Sequence, residues 1–94
     1  MKSDEIKFIN SFNNKRAVRY ERGGAVITGA GGISVSRAKF VIIANNAVIF
    51  EAKKDNVFVG LLLSGNGIRI GGFNLLTNAD EQWTVYFSYI EAKL

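Results

Sequence analysis

The fold is decided by residues 40–50, FVIIANNAVIF, in which two apolar, β-branched runs flank the pair Asn45-Asn46. Runs of Val, Ile and Phe favour strands, and asparagine tolerates the left-handed backbone that a two-residue hairpin turn requires. The stretch therefore predicts a β-hairpin with Asn45-Asn46 at its tip.

The rest of the chain repeats this pattern at regular intervals. We expect seven or eight strands, over residues 16–22, 25–28, 33–44, 47–52, 57–63, 68–70, 73–76 and 82–91. Turns or loops are expected between them, at 23–24, 29–32, 45–46, 53–56, 64–67, 71–72 and 77–81. Short strands without intervening helices predict an all-β fold, a small antiparallel sandwich or barrel, as one domain over residues 1–94.

The first fourteen residues differ from the rest. Ser3-Asp4-Glu5 is typical of a helix start, with Ser3 as the N-cap and acidic groups in the first turn. Apolar residues then follow at roughly helical spacing up to Phe12. The pattern predicts a short helix over about 4–12, and an irregular arm over 1–14 is the alternative.

The amino-acid composition excludes the most common catalytic and metal-binding groups. The 94 residues contain no His, Cys or Pro, although 48% of them are apolar. There is no imidazole base, thiolate nucleophile, disulfide or nitrogen- and sulfur-ligated metal site. A Ser–Lys dyad of Ser36 and Lys39 has no supporting motif. We therefore expect no enzymatic activity, no cofactor and no metal.

Targeting signals are also missing from the sequence. The longest apolar run, residues 40–44, is far shorter than a membrane span, and no apolar segment follows the N-terminus as in a signal peptide. We expect no membrane insertion. Localisation is not determined by this, although a cytoplasmic or virion setting is favoured.

A glycine-rich stretch, residues 26–33, invites comparison with dinucleotide-binding turns. Its spacing is not Gly-x-Gly-x-x-Gly, and β-branched residues follow it instead of a helix former. The sequence therefore favours a plain hairpin loop at 29–32.

Basic residues are concentrated in the first half of the chain. Residues 1–47 hold eight basic and three acidic groups, and residues 48–94 hold four and five. The basic run 15–22 offers candidate contacts to an anionic partner: Lys15, Arg16, Arg19 and Arg22. An OB-like barrel binding nucleic acid along this strand is one alternative function. However, Tyr20 shares a face with Val18 and is predicted to point inward, which disfavours base stacking.

Two predicted strands are apolar on both faces, and this pattern is the basis for predicting self-association. In 57–63, the face of Val57, Val59, Leu61 and Leu63 is expected to meet the core, and Phe58 and Leu62 then also need cover. Residues 47–50 show the same property. Either the N-terminal helix or another subunit must supply that cover. We predict a homo-oligomer with an interface at Phe50, Phe58 and Leu62.

The leading function is thus a non-enzymatic assembly module, by analogy a capsid- or tail-associated structural protein of a virus or phage. A third hypothesis is a carbohydrate- or protein-ligand-binding module. It would use an aromatic platform of Trp83, Tyr86 and Tyr89 on the last strand.

Overall fold

The structure, a computed structural model, describes residues 3–87. One helix, α1 (Ser3–Asn10), precedes seven strands, and a single 3-10 turn (Lys54–Asn56) joins the fourth strand to the fifth. The strands are β1 (Arg16–Arg22), β2 (Ala25–Val35), β3 (Lys39–Ala44), β4 (Ala47–Lys53), β5 (Val57–Leu61), β6 (Gly67–Asn74) and β7 (Ala79–Phe87).

The strands form one antiparallel sheet in the order β4-β3-β2-β1-β7-β6-β5, which curls until it is nearly closed into a barrel. Two meanders, β1 to β4 and β5 to β7, are joined by the β1–β7 pairing. The predicted all-β class and the short N-terminal helix are confirmed. Within residues 3–87, that helix is too short to cross a membrane.

The predicted hairpin turn at Asn45-Asn46 is confirmed. Both residues have positive φ, 52° and 66°, and the flanking Ala44 and Ala47 are directly paired. This is the backbone geometry that matches the right-handed twist of the two strands. The same logic holds at Gly23, where φ is 60° between the paired ends of β1 and β2.

The prediction of a loop at residues 29–32 is wrong. These residues lie inside β2, which runs unbroken from Ala25 to Val35. A Cβ on Gly31 would overlap the carbonyl oxygen of Ile43, and one on Gly32 would overlap that of Lys15. The glycines therefore permit close backbone approach within a strand, a use that the sequence pattern does not distinguish from a loop.

Four further boundaries differ from the predicted ones. The single strand expected at 33–44 is interrupted at residues 36–38, so that 33–35 belong to β2 and β3 begins at Lys39. Residues 68–70 and 73–76 were expected as separate strands, but β6 passes through Gly71-Gly72 and joins them into one element ending at Asn74. The strand expected at 57–63 ends at Leu61, and β7 starts earlier than expected, at Ala79. Of the strand expected at 82–91, residues 88–91 lie outside the described part of the chain.

The core fills the inside of this curled sheet. Its largest fully buried side chains include Tyr20, Phe40 and Phe50, and Trp83 is 6% exposed. Ile9 of helix α1 and Phe12, in the turn after it, join the same cluster, and the Phe12 ring stacks at 6.4 Å from that of Phe87. The helix thus caps the core and leaves the outer side of β5 uncovered.

A β-bulge in β1 corrects the predicted faces of that strand. The pairing register shifts between Ala17 and Arg19, so Ala17 and Tyr20 are both buried while Val18 is 37% exposed. The Tyr20 hydroxyl lies 3.2 Å from the Ala17 carbonyl and 3.3 Å from that of Gly29, to which it can donate. Burial raises the pKa of Tyr20. The inward direction predicted for Tyr20 is confirmed.

Candidate self-association surface

At one edge of the sheet, backbone groups of β4 are hydrogen-bonded to Asn74 and Leu75. The Asn74 side chain accepts from the Glu51 amide at 3.2 Å and donates to the Ile49 carbonyl at 3.1 Å. The Leu75 amide donates to the Glu51 carbonyl at 2.8 Å. These bonds occupy backbone groups of β4 that a neighbouring strand would otherwise use.

The opposite edge, β5, is open. Among residues 3–87, its ladder partner is β6 alone. Natural edge strands are usually protected by charged side chains, proline or a bulge. No charged residue occurs from Val57 until Arg69, the chain has no proline, and the β5–β6 register is unbroken. The open edge therefore carries none of the usual devices against pairing with another strand.

Apolar side chains project beside this edge. Phe58 is 81% exposed, Leu61 is 65% exposed and Leu63 is fully exposed. Phe58 lies directly opposite Gly71 in the ladder, so no neighbouring side chain covers its ring from that position. We refer to Phe58, Leu61 and Leu63 as the β5 patch.

The β5 patch corrects the predicted burial of this segment. Val57 is buried and Val59 is half-buried, as expected for the core face, but Leu61 and Leu63 are not. Leu63 lies beyond the end of β5, where the alternation no longer applies, and Leu61 is the last residue of the strand. Sequence reasoning therefore missed two of the three exposed side chains.

The three residues predicted at an interface lie in different environments. Phe58 is at the surface. Phe50 is fully buried, because a register shift in the β3–β4 ladder places it inward opposite Ile42. That prediction is wrong, since Phe50 cannot touch a second molecule. Leu62 is half-buried, and its amide donates to the Gly67 carbonyl at 3.1 Å.

The four basic residues of the run 15–22 do not form one row. Arg19 pairs with Glu21 at 2.5 Å, and Lys15 lies 5.5 Å above the ring of Phe87. The Arg22 guanidinium lies 5.7 Å above the Trp83 ring, at the other end of β1. Arg16 is exposed. Three of the four cations thus have separate partners within the fold.

The three aromatic residues of the predicted platform do not come together among the described residues. Trp83 belongs to the core, and Tyr86 is half-buried, with its hydroxyl 3.4 Å from Glu21. Tyr89 lies outside the described residues.

A buried carboxylate stands at the start of β7. The Glu81 side chain is 6% exposed and accepts hydrogen bonds from Asn74 at 2.8 Å, Thr77 at 2.7 Å and Trp83 at 3.0 Å. Burial alone would raise the pKa of Glu81, but the three hydrogen bonds and the positive charge of Arg22 outweigh it and lower the pKa. Its donors are all within the fold, so the group serves structure.

The described residues can be compared with two kinds of site chemistry, a metal-ligand cluster and the Ser36–Lys39 dyad. Within residues 3–87, no three His, Cys, Asp or Glu side chains cluster as a metal site would need. The Lys39 ammonium is paired with Glu51 at 2.7 Å, while the Ser36 hydroxyl accepts from the Lys39 backbone amide at 3.2 Å. Ser36 and Lys39 are therefore joined through a turn and not as a nucleophile and its base.

Comparison of the chain with protein-family models, curated protein sequences and solved structures gave no match in any of the three.

Proposed function

We propose that this protein is a non-enzymatic structural module that self-associates with a second copy through β5. The observation that carries the proposal is Phe58, 81% exposed beside an edge strand that is uncharged and open among the described residues. Strand addition at an open edge supplies main-chain hydrogen bonds, and apolar side chains supply the driving force.

The size of the β5 patch supports a second copy as the occupant. Burying one large apolar side chain is worth roughly 1.5–3 kcal/mol, so three from each of two copies give about 9–18 kcal/mol. Association costs an estimated 4–15 kcal/mol in lost freedom. The free energy of burial is therefore large enough to offset the cost of association. In a two-fold symmetric dimer, each copy contributes the same patch. We therefore expect a dimer of moderate affinity, with a Kd of about 1 μM corresponding to about −8 kcal/mol.

The class of structural protein is proposed by analogy. A small all-β subunit that works by association suits a capsid- or tail-associated role in a virus or phage. Negative-stain electron microscopy of concentrated protein tests the proposed capsid- or tail-associated role. We expect regular assemblies larger than a dimer.

Two matched variants test the assembly proposal. Phe58→Asp places a charge in the β5 patch, and Val26→Asp places one at a 50%-exposed valine on β2, away from β5. Sedimentation velocity should show wild type and Val26→Asp as dimers. We expect Phe58→Asp to be a folded monomer, because a carboxylate in that interface would be desolvated without a partner. Wild type and Phe58→Asp of equal mass would contradict the proposal.

A further inference from the structure

Four cationic side chains converge at the corner where the β2–β3 turn meets the end of β4. They are Arg37, Lys39, Lys53 and Lys54, from two segments well separated in the sequence. Together with Ile6 and Leu75 they line a cavity of about 430 Å³. We refer to it as the corner cavity. Its volume lies within the usual range of small-molecule sites.

The arrangement of these charges is unfavourable in isolation. Lys39 and Lys53 are direct partners in the β3–β4 ladder, a position where like charges destabilise a sheet. Glu51 neutralises Lys39 at 2.7 Å, and the Lys54 ammonium donates to the Ser36 carbonyl at 3.1 Å.

A net positive charge remains at the cavity after these pairings. Arg37 and Lys53 take part in no ion pair among residues 3–87. Asp55 is the only carboxylate lining the cavity within that part of the chain. The like-charge pair would be relieved by a bound anion.

The walls of the corner cavity are not only charged. Ile6 from α1 is half-buried there, and Leu75 from the β6–β7 turn is 37% exposed. The aliphatic stems of the lysines add to this apolar surface. A bare phosphate ion would leave those walls uncovered, whereas an amphiphilic anion would use both features.

We infer that the corner cavity binds an amphiphilic anion. Arg37 and Lys53 hold its carboxylate or phosphate head group, and its short aliphatic part lies against Ile6 and Leu75. The site shares none of its lining residues with the β5 patch, so it is independent of the proposed self-association.

The test uses the full chain and octyl phosphate below its micelle concentration, followed by amide NMR shifts. Shifts should centre on residues 6, 37–39, 53–55 and 75. Inorganic phosphate should bind at least about tenfold more weakly, and octyltrimethylammonium should not shift these signals. Phe58→Asp should bind like wild type, which separates this result from the fate of the assembly proposal.

Two double variants remove the same charge at different places. Arg37→Ala/Lys53→Ala should weaken octyl phosphate binding about tenfold or more, because charge-assisted contacts are lost. Arg16→Ala/Arg69→Ala removes two exposed charges that do not line the cavity and should weaken it less than about twofold.

Several outcomes would overturn the inference. Equal weakening by both double variants would assign binding to net charge alone. Shifts centred on residues 58–63 would assign it to the β5 patch. Absence of binding, or binding only to vesicles of anionic lipid and not to soluble octyl phosphate, would also contradict a cavity site.

Discussion

Asn74 links the end of β6 to the edge of β4. It is fully buried and makes four side-chain hydrogen bonds, to Ile49, Glu51, Leu76 and Glu81. Asn74→Ala leaves those partners unpaired, each at a cost of about 1–3 kcal/mol where water cannot replace the bond. We expect a loss of at least about 3 kcal/mol in the free energy of unfolding, measured by urea denaturation with Trp83 fluorescence.

The matched control is Asn10→Ala, at an exposed position of α1. It should change stability by no more than about 0.5 kcal/mol. Similar effects of the two substitutions would show that Asn74 does not hold the β4 edge.

Glu81 makes stability depend on pH. Its pKa is lower in the folded protein than the usual value of about 4.3, so its ionisation stabilises the fold above that value. This contribution is lost as the pH falls through the folded pKa. Glu81→Gln should cost about 1–3 kcal/mol at pH 7, because an amide cannot accept all three bonds.

The deficit of the same variant should shrink as the pH falls through the folded pKa of Glu81, because the carboxyl group of wild type then becomes protonated. Asp80→Asn changes an exposed neighbour and should have little effect at pH 7. A Glu81→Gln deficit that stays the same from pH 7 down to the lowest pH at which both proteins remain folded would contradict this expectation.

At the scale of the element, the glycines of β2 let other backbone segments approach closely. Gly31→Ala would bring a Cβ onto the Ile43 carbonyl and close to the Tyr20 hydroxyl. We expect a loss of about 3 kcal/mol or more, at the upper end of ordinary single substitutions. Gly24→Ala, in the β1–β2 turn, meets no atom within 4 Å and should be neutral or slightly stabilising. Thermal unfolding of both variants decides the point, and equal melting temperatures would contradict it.

Elements that depend on a few neighbouring residues could be predicted from the sequence, whereas elements that depend on distant strands could not. The Asn45-Asn46 hairpin and helix α1 could be predicted because turn residues and apolar spacing act within a few positions, although Ser3, predicted as the N-cap, is the first residue of the helix. The course of β2 could not, since a glycine needed for close approach looks the same as a glycine in a loop. The bulge in β1 was hidden for a related reason, because a register shift depends on the partner strands.

At the scale of the whole molecule, only part of the candidate surface could be predicted. Phe58 was found because both faces of its segment are apolar. Phe50 satisfied the same rule but is buried, because it faces the core opposite Ile42 after a register shift that depends on the partner strand. The corner cavity joins Arg37 to Lys53 through the β3–β4 pairing, and no local pattern in the sequence reports that contact.

The central claim is that a second copy pairs with the open edge of β5. Amide hydrogen exchange of Phe58 to Leu61 in the unmodified protein, followed at two concentrations about tenfold above and below the Kd, tests it most directly. We expect exchange in this strand to slow markedly at the higher concentration while amides of β1 and β7 stay unchanged. Rates in β5 that do not depend on concentration would contradict the account.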